Sequence, residues 1–198
     1  MAQTRDLSRI RKEMFDGLFK NRRVKRVAFE LYTSAVNQAR LPIFYTSLNV
    51  PDTLEGRFDM ICLHVFIVLR RLKQEGEPMV DLGQAVFDSM FADFDRNFRE
   101  MGVGDFGVGN RVKKLARSFY GRVAAYDEGF EGDVATLKAA LSRNVYRQTE
   151  PSAENVSQLA TYFRNQLAAV EKQPLTEFTE GYPGFVDFAS ALIGSPVD

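Results

Sequence analysis

The chain of 198 residues carries 26 basic and 26 acidic side chains, so its formal charge is zero and its pI about 6.6. That balance argues against a dedicated nucleic-acid binder, whose affinity rests on a net-basic surface. One cysteine and one histidine, Cys62 and His64, exclude an internal disulfide and a His/Cys metal site, while 45% hydrophobic residues supply a core for one domain.

Residues 5 to 26 read as an amphipathic basic segment, with Leu7, Ile10, Met14, Phe15, Leu18 and Phe19 on one helical face among nine Lys and Arg residues. Residues 1–22 are set apart on this ground from a single helical domain over 23–198. Such a segment can lie on an anionic membrane surface, touch a partner, or dock on its own domain, and the pattern fits all three. It lacks the apolar core and small-residue cleavage site of a secretory signal.

The next helix is predicted over about Val24 to Ala39, with Val27, Leu31 and Tyr32 inward. A loop follows in which Pro42 and Pro51 exclude helix, Ile43, Phe44 and Tyr45 are unusually apolar, and Asp52 with Glu55 resembles a capping box. The third helix, about Leu54 to Lys73, has a nearly continuous apolar face and is the best candidate for the centre of the core. Its run Ile61 to Leu69 is too short to cross a bilayer, which takes about 20 apolar residues.

Residues 87 to 126 read as a central helical hairpin. Phe87, Met90, Phe91, Phe94, Phe98 and Met101 recur at steps of three and four, opposite Asp88, Asp93, Asp95 and Glu100, whereas the second arm carries Arg111, Lys113, Lys114, Arg117 and Arg122 without an acid. The arms are thus expected to be charge-complementary. The connection Gly102-Val103-Gly104-Asp105-Phe106-Gly107 matches a dinucleotide fingerprint literally, but that motif requires a preceding strand and here a helical period precedes it. Gly102 instead suits the left-handed end of one helix and Asp105 the N-cap of the next. Ser118, Gly121 and Ala125 form a small-residue stripe, which calls for a helix packed close by or a partner against it. Val112, Leu115, Phe119, Val123 and Tyr126 fill the inward positions, so Tyr120 and Arg122 are expected to face outward.

Beyond a turn at residues 127–132, Asp133 caps a short helix and Pro151-Ser152 opens a long one over about Ala153 to Lys172. Short helical turns follow from Pro174. No segment alternates with period two, so the fold class is all-α: a single irregular bundle of about seven helices. No G-x-S-x-G or S-x-x-K occurs, and Asp93 and Asp95, two apart on a helix, do not converge on one substrate. No catalytic residue, cofactor or metal is therefore expected, and the chain reads as a non-enzyme.

The tracts Ala39-Arg40, Phe44-Tyr45, Val50-Pro51-Asp52-Thr53, Gly56-Arg57-Phe58-Asp59, Gly102-Val103-Gly104-Asp105 and Phe119-Tyr120-Gly121-Arg122, taken together, resemble the ubiquinol–cytochrome c chaperone family over about residues 24 to 145. The resemblance implies an assembly factor of the cytochrome bc1 complex that binds newly made cytochrome b, with a small helical partner protein or the ribosome as further contacts. It implies a cytoplasmic protein, peripheral on the inner membrane face, in a bacterium, and a mitochondrial one in a eukaryote. It brings no catalytic residues. The expected contact positions are Arg40, Phe44, Tyr45, Asp52, Arg57, Asp105, Lys113, Arg117, Tyr120, Gly121 and Arg122. The alternative is a peripheral membrane or lipid-binding helical domain. An open groove floored by aromatics would favour the chaperone, and a closed tunnel the lipid binder.

Overall fold

The computed structural model describes the backbone of residues 2–193, with side chains from residue 21 onward apart from Pro78 and Ile193. The apolar face expected between Leu7 and Phe19 lies outside the described side chains. Among the described residues there are nine α-helical segments and no strand: α1 (Ala2–Ala39), α2 (Pro42–Thr46), α3 (Leu54–Gln74), α4 (Val80–Glu100), α5 (Asp105–Glu131), α6 (Val134–Val145), α7 (Ala153–Lys172), α8 (Leu175–Phe178) and α9 (Phe188–Ile193).

The centre is α3, which packs against α1, α4, α5, α6 and α7. From Phe58 to Val68 every residue is buried, so its apolar content runs around the helix and not along one stripe, as a helix enclosed on all sides requires. Gly56 lets its first turn in, because a Cβ there would collide with the Pro51 carbonyl oxygen. Val27, Leu31, Tyr32, Ala35 and Val36 of α1 pack on α3 and α4, and the Tyr32 hydroxyl donates to Asp93 of α4 at 2.8 Å. At the far side Gln166 of α7 holds the C-terminal strap through both polar atoms of its amide. Its Nε2 donates to the Val186 carbonyl at 2.6 Å, and its Oε1 accepts from the Val186 amide at 3.1 Å.

Several sequence expectations are corrected. α1 is one helix of 38 residues, not two, since Gly17 is its only glycine, it contains no proline, and the charged run before Val24 holds no breaker. Pro42 does not exclude helix; it occupies the first turn of α2, where its missing N–H costs nothing. The cap of α3 is Thr53, whose Oγ1 accepts from the Gly56 amide at 3.1 Å, rather than an Asp52–Glu55 box. α5 runs on through the expected turn to Glu131, and Asp127 inside it pairs with Arg70 of α3 at 2.5 Å.

The hairpin is real, with Gly102 left-handed at φ 78° as expected, but the ion pair that joins its arms, Arg99 of α4 with Asp105 of α5, has the reverse of the expected polarity, and no acid of α4 pairs with a cation of α5 among the described residues. Asp95 and Asp105 both pair with Arg99, Asp93 is taken by Tyr32, and Arg122 pairs with Asp59. Nor is Asp105 the cap. Gly104 holds that position in extended backbone, and Asp105 is the first helical residue, with no side-chain bond to the free amides. Asp133 does cap α6, accepting from the Thr136 amide at 2.7 Å. Asp105→Ala should therefore leave the urea unfolding midpoint near wild type, whereas Asp133→Ala, which removes a cap in use, should lower it.

Candidate functional site

α3, α4 and α5 diverge around an open groove. Phe66 of α3 and Phe119 of α5 form its buried floor, and Phe87 of α4 joins the lining, 5.9 Å from Phe119 between ring centroids. Leu69, Gly83 and Val123 complete the apolar lining of a hollow of about 220 Å³. A second hollow of about 260 Å³ shares Leu69, Lys73, Gly83 and Gln84 with the first and continues to Leu72, Met79 and Val80 where α3 turns into α4. The result is one trough, open to solvent along its length.

Gly83 sets its depth. A Cβ there would find only Leu69 Cδ2, at 3.9 Å, so the glycine leaves space that a side chain could fill without collision. The rim is charged on one side: Asp127 takes Arg70 at 2.5 Å and Lys73 at 3.8 Å, and the Arg70 guanidinium lies 5.6 Å from the Phe130 ring centroid. Tyr120, 59% exposed, stands at the other end with its ring 5.5 Å from Phe87. The groove can take apolar side chains on its aromatic floor and a polar group at the rim.

The expected contact residues fall into separate places. Arg40, Tyr45, Asp52 and Arg57 cluster around the loop between α1 and α3. There Asp52 accepts from Arg57 Nε at 2.7 Å, the Arg57 guanidinium covers the Tyr45 ring at 5.3 Å, and burial pushes the Tyr45 hydroxyl up to about 12. Lys113, Arg117, Tyr120 and Gly121 are exposed on the outer face of α5, and Asp105 is exposed as its first residue. A Cβ at Gly121 would meet nothing within 4 Å, so among the described residues no helix packs at that point of the small-residue stripe, whereas Ala125 at its end is buried.

Two expected contacts are core residues. Phe44 is fully buried against His64, Tyr162 and Phe188. Arg122, 5% exposed, donates to Asp59, to the Ser118 hydroxyl, and to the Ser118 carbonyl at 3.0 Å. Residues two apart on a helix do not share a face, so Tyr120 and Arg122 cannot both point outward. Burial, outweighing the guanidinium groups of Arg122 and Arg147, raises the Asp59 carboxyl to about 6.

The groove lining on α4 escaped the sequence reading, although a glycine four residues before Phe87 inside a helix was a usable signal. No cluster of three or more His, Cys, Asp or Glu residues is placed to hold a metal among the described residues. Cys62 and His64 lie fully buried away from the groove. No helix among the described residues is long and apolar enough to cross a membrane.

The family described as Ubiquinol-cytochrome C chaperone matches residues 46–186, more than half of the chain and all of the groove. The chain belongs to that family. It is 30% identical over 145 residues to the ubiquinol-cytochrome-c reductase complex assembly factor 1 of Xenopus laevis, covering 73% of this chain and 72% of the frog protein. It is 28% identical over 149 residues to the mitochondrial protein CBP3 of Saccharomyces cerevisiae, covering 72% of this chain and 44% of the yeast protein. The mouse assembly factor 1 is likewise matched over about half its length, 49%. The crystal structure of the Cbp3 homolog from Brucella abortus superposes with a TM-score of 0.77 at 34% identity, covering 88% of this chain and 98% of that one. The all-α single-domain fold of the ubiquinol–cytochrome c chaperone family is thus the fold of this chain.

Proposed function

We propose that this chain is an assembly chaperone of the cytochrome bc1 complex, and that it holds an apolar helix of newly made cytochrome b in the α3–α4–α5 groove. The observation that carries the reading is the open, aromatic-floored trough in a chain of this family. Openness matters because a transmembrane segment of a polytopic client is continuous with further chain at both ends and can enter a groove only sideways. A lipid binder, by contrast, gains from enclosure. The charged rim of Arg70, Lys73 and Asp127 offers polar partners to groups flanking the apolar stretch. Arg40, Tyr45, Asp52 and Arg57 lie outside the groove, which leaves that patch for the small helical partner or ribosome contact implied by the resemblance.

Gly83→Leu tests the reading. The backbone is helical and the nearest obstacle to a Cβ is at van der Waals distance, so the variant should fold with a melting temperature at or above wild type, glycine being the poorer helix former by about 1 kcal/mol. Its side chain fills the trough and should reduce capture of newly translated cytochrome b by the equivalent of about 2 kcal/mol or more, the cost of losing a central anchor site. Undiminished capture by the folded variant would remove the groove from the mechanism.

A further inference from the structure

The outer face of α5 is a second surface, distinct from the groove lining except at Tyr120. Phe106 is 88% exposed at its start and Tyr120 59% exposed further along. Lys113 and Arg117 fall on the stripe between them at helical spacing, with Lys114 beside. None of these three cations has an ion-pair partner among the described residues, and no acid occurs on the helix between Asp105 and Asp127. At the elbow, Asp95 and Asp105 are both engaged by Arg99, leaving Glu100 as the remaining acid there.

The helix stands clear of its neighbours at two further positions: a Cβ at Gly109 or Gly121 would meet nothing within 4 Å among the described residues. A bilayer needs only unpaired cations at headgroup level and an apolar side chain that reaches the acyl boundary. RNA would use the cations but has no use for the aliphatic Met101, 55% exposed near Phe106, and the chain as a whole has no net positive charge.

We propose that the outer face of α5 docks on an anionic lipid surface, with Lys113, Lys114 and Arg117 at the headgroup phosphates and Phe106 inserted as the anchor. The inference does not depend on the groove. It does place the groove, which shares α5, beside a membrane.

Flotation of the full chain with vesicles tests it, using phosphatidylcholine alone and an equimolar mixture of phosphatidylcholine and phosphatidylglycerol. Wild type should float with the mixed vesicles only. K113Q combined with R117Q should lower the partition constant about twenty-five-fold, at roughly fivefold per cation removed. Phe106→Ser should lower it as well, and Gly83→Leu should leave it unchanged. All four positions are free of tight packing, so melting temperatures confirm that each variant is folded. Failure of wild type to float, equal flotation with uncharged vesicles, or equal flotation of the charge variant would each overturn the proposal. So would a charge variant that loses binding to a structured RNA while its flotation is untouched.

Discussion

Arg122→Ala is expected to destabilise the fold by about 3–5 kcal/mol, the range for breaking a buried ion pair from one side. Asp59 is 1% exposed and Arg122 5%, so removing the guanidinium strands a carboxyl group in the core, with only Arg147 Nε, 3.4 Å from Oδ2, left near it. The loss is compounded by packing, because the guanidinium also covers the Phe58 ring at 5.2 Å. Urea unfolding of the variant measures it, and a loss below about 1 kcal/mol, the range of surface pairs, would show that the pair is solvated after all. Arg122→Lys should recover little, since an ammonium cannot serve Asp59 and Ser118 together in the fork geometry. Asp59→Leu with Arg122→Met should recover most of it, because an apolar pair of similar volume leaves no stranded charge. Asp59 sits on α3 and Arg122 on α5, so the pair holds together the two helices that flank the groove.

The elements read correctly from sequence are those whose signals are local. Ser152 accepts from the Asn155 amide at 3.0 Å and opens α7 where its pattern begins, and Asp133 does the same for α6. α3 was legible because an unbroken apolar run bounded by charged residues has few other solutions. Errors arose where position depended on something distant. Arg122 looked like a surface arginine because its partner Asp59 is 63 residues away and the basic stripe around it is exposed. Asp105 had the composition of a cap, yet the extended backbone that a cap needs fell on Gly104. The groove was invisible because it is a gap between three helices, and only the approach of α4 to α3 at Gly83 defines it. Tyr120 was placed correctly on the surface, since a helix face already filled inward leaves its other face to solvent, whereas the close neighbour that Gly121 called for is absent among the described residues.

Acid should affect variants of two buried groups in opposite directions. His64 is enclosed by Phe44, Tyr162 and Phe185. Its Nδ1 sits 2.8 Å from the Met60 carbonyl and so carries the proton, while Nε2 accepts from the Tyr162 hydroxyl at 2.8 Å. Burial, only partly offset by the Met60 bond, lowers its pKa to about 4 from 6.5. Between those values the unfolded chain takes up a proton that the folded chain refuses, so stability from His64 is present above pH 6.5 and is lost as the pH falls through 4. At about 1.4 kcal/mol per pH unit the loss is about 3 kcal/mol. Asp59 runs the other way. With its carboxyl raised to about 6 from 3.8, the folded state holds the proton more tightly, so its contribution is full below 3.8 and is lost as the pH rises through 6. In the wild type the two slopes oppose each other between pH 4 and 6. Asp59→Asn should therefore lose about 2–3 kcal/mol relative to wild type on going from pH 7 to 4, and His64→Gln should gain about 3 kcal/mol relative to wild type over the same interval. Denaturant unfolding at several pH values reads both, and a His64→Gln profile parallel to wild type would mean that His64 takes up its proton in the folded protein.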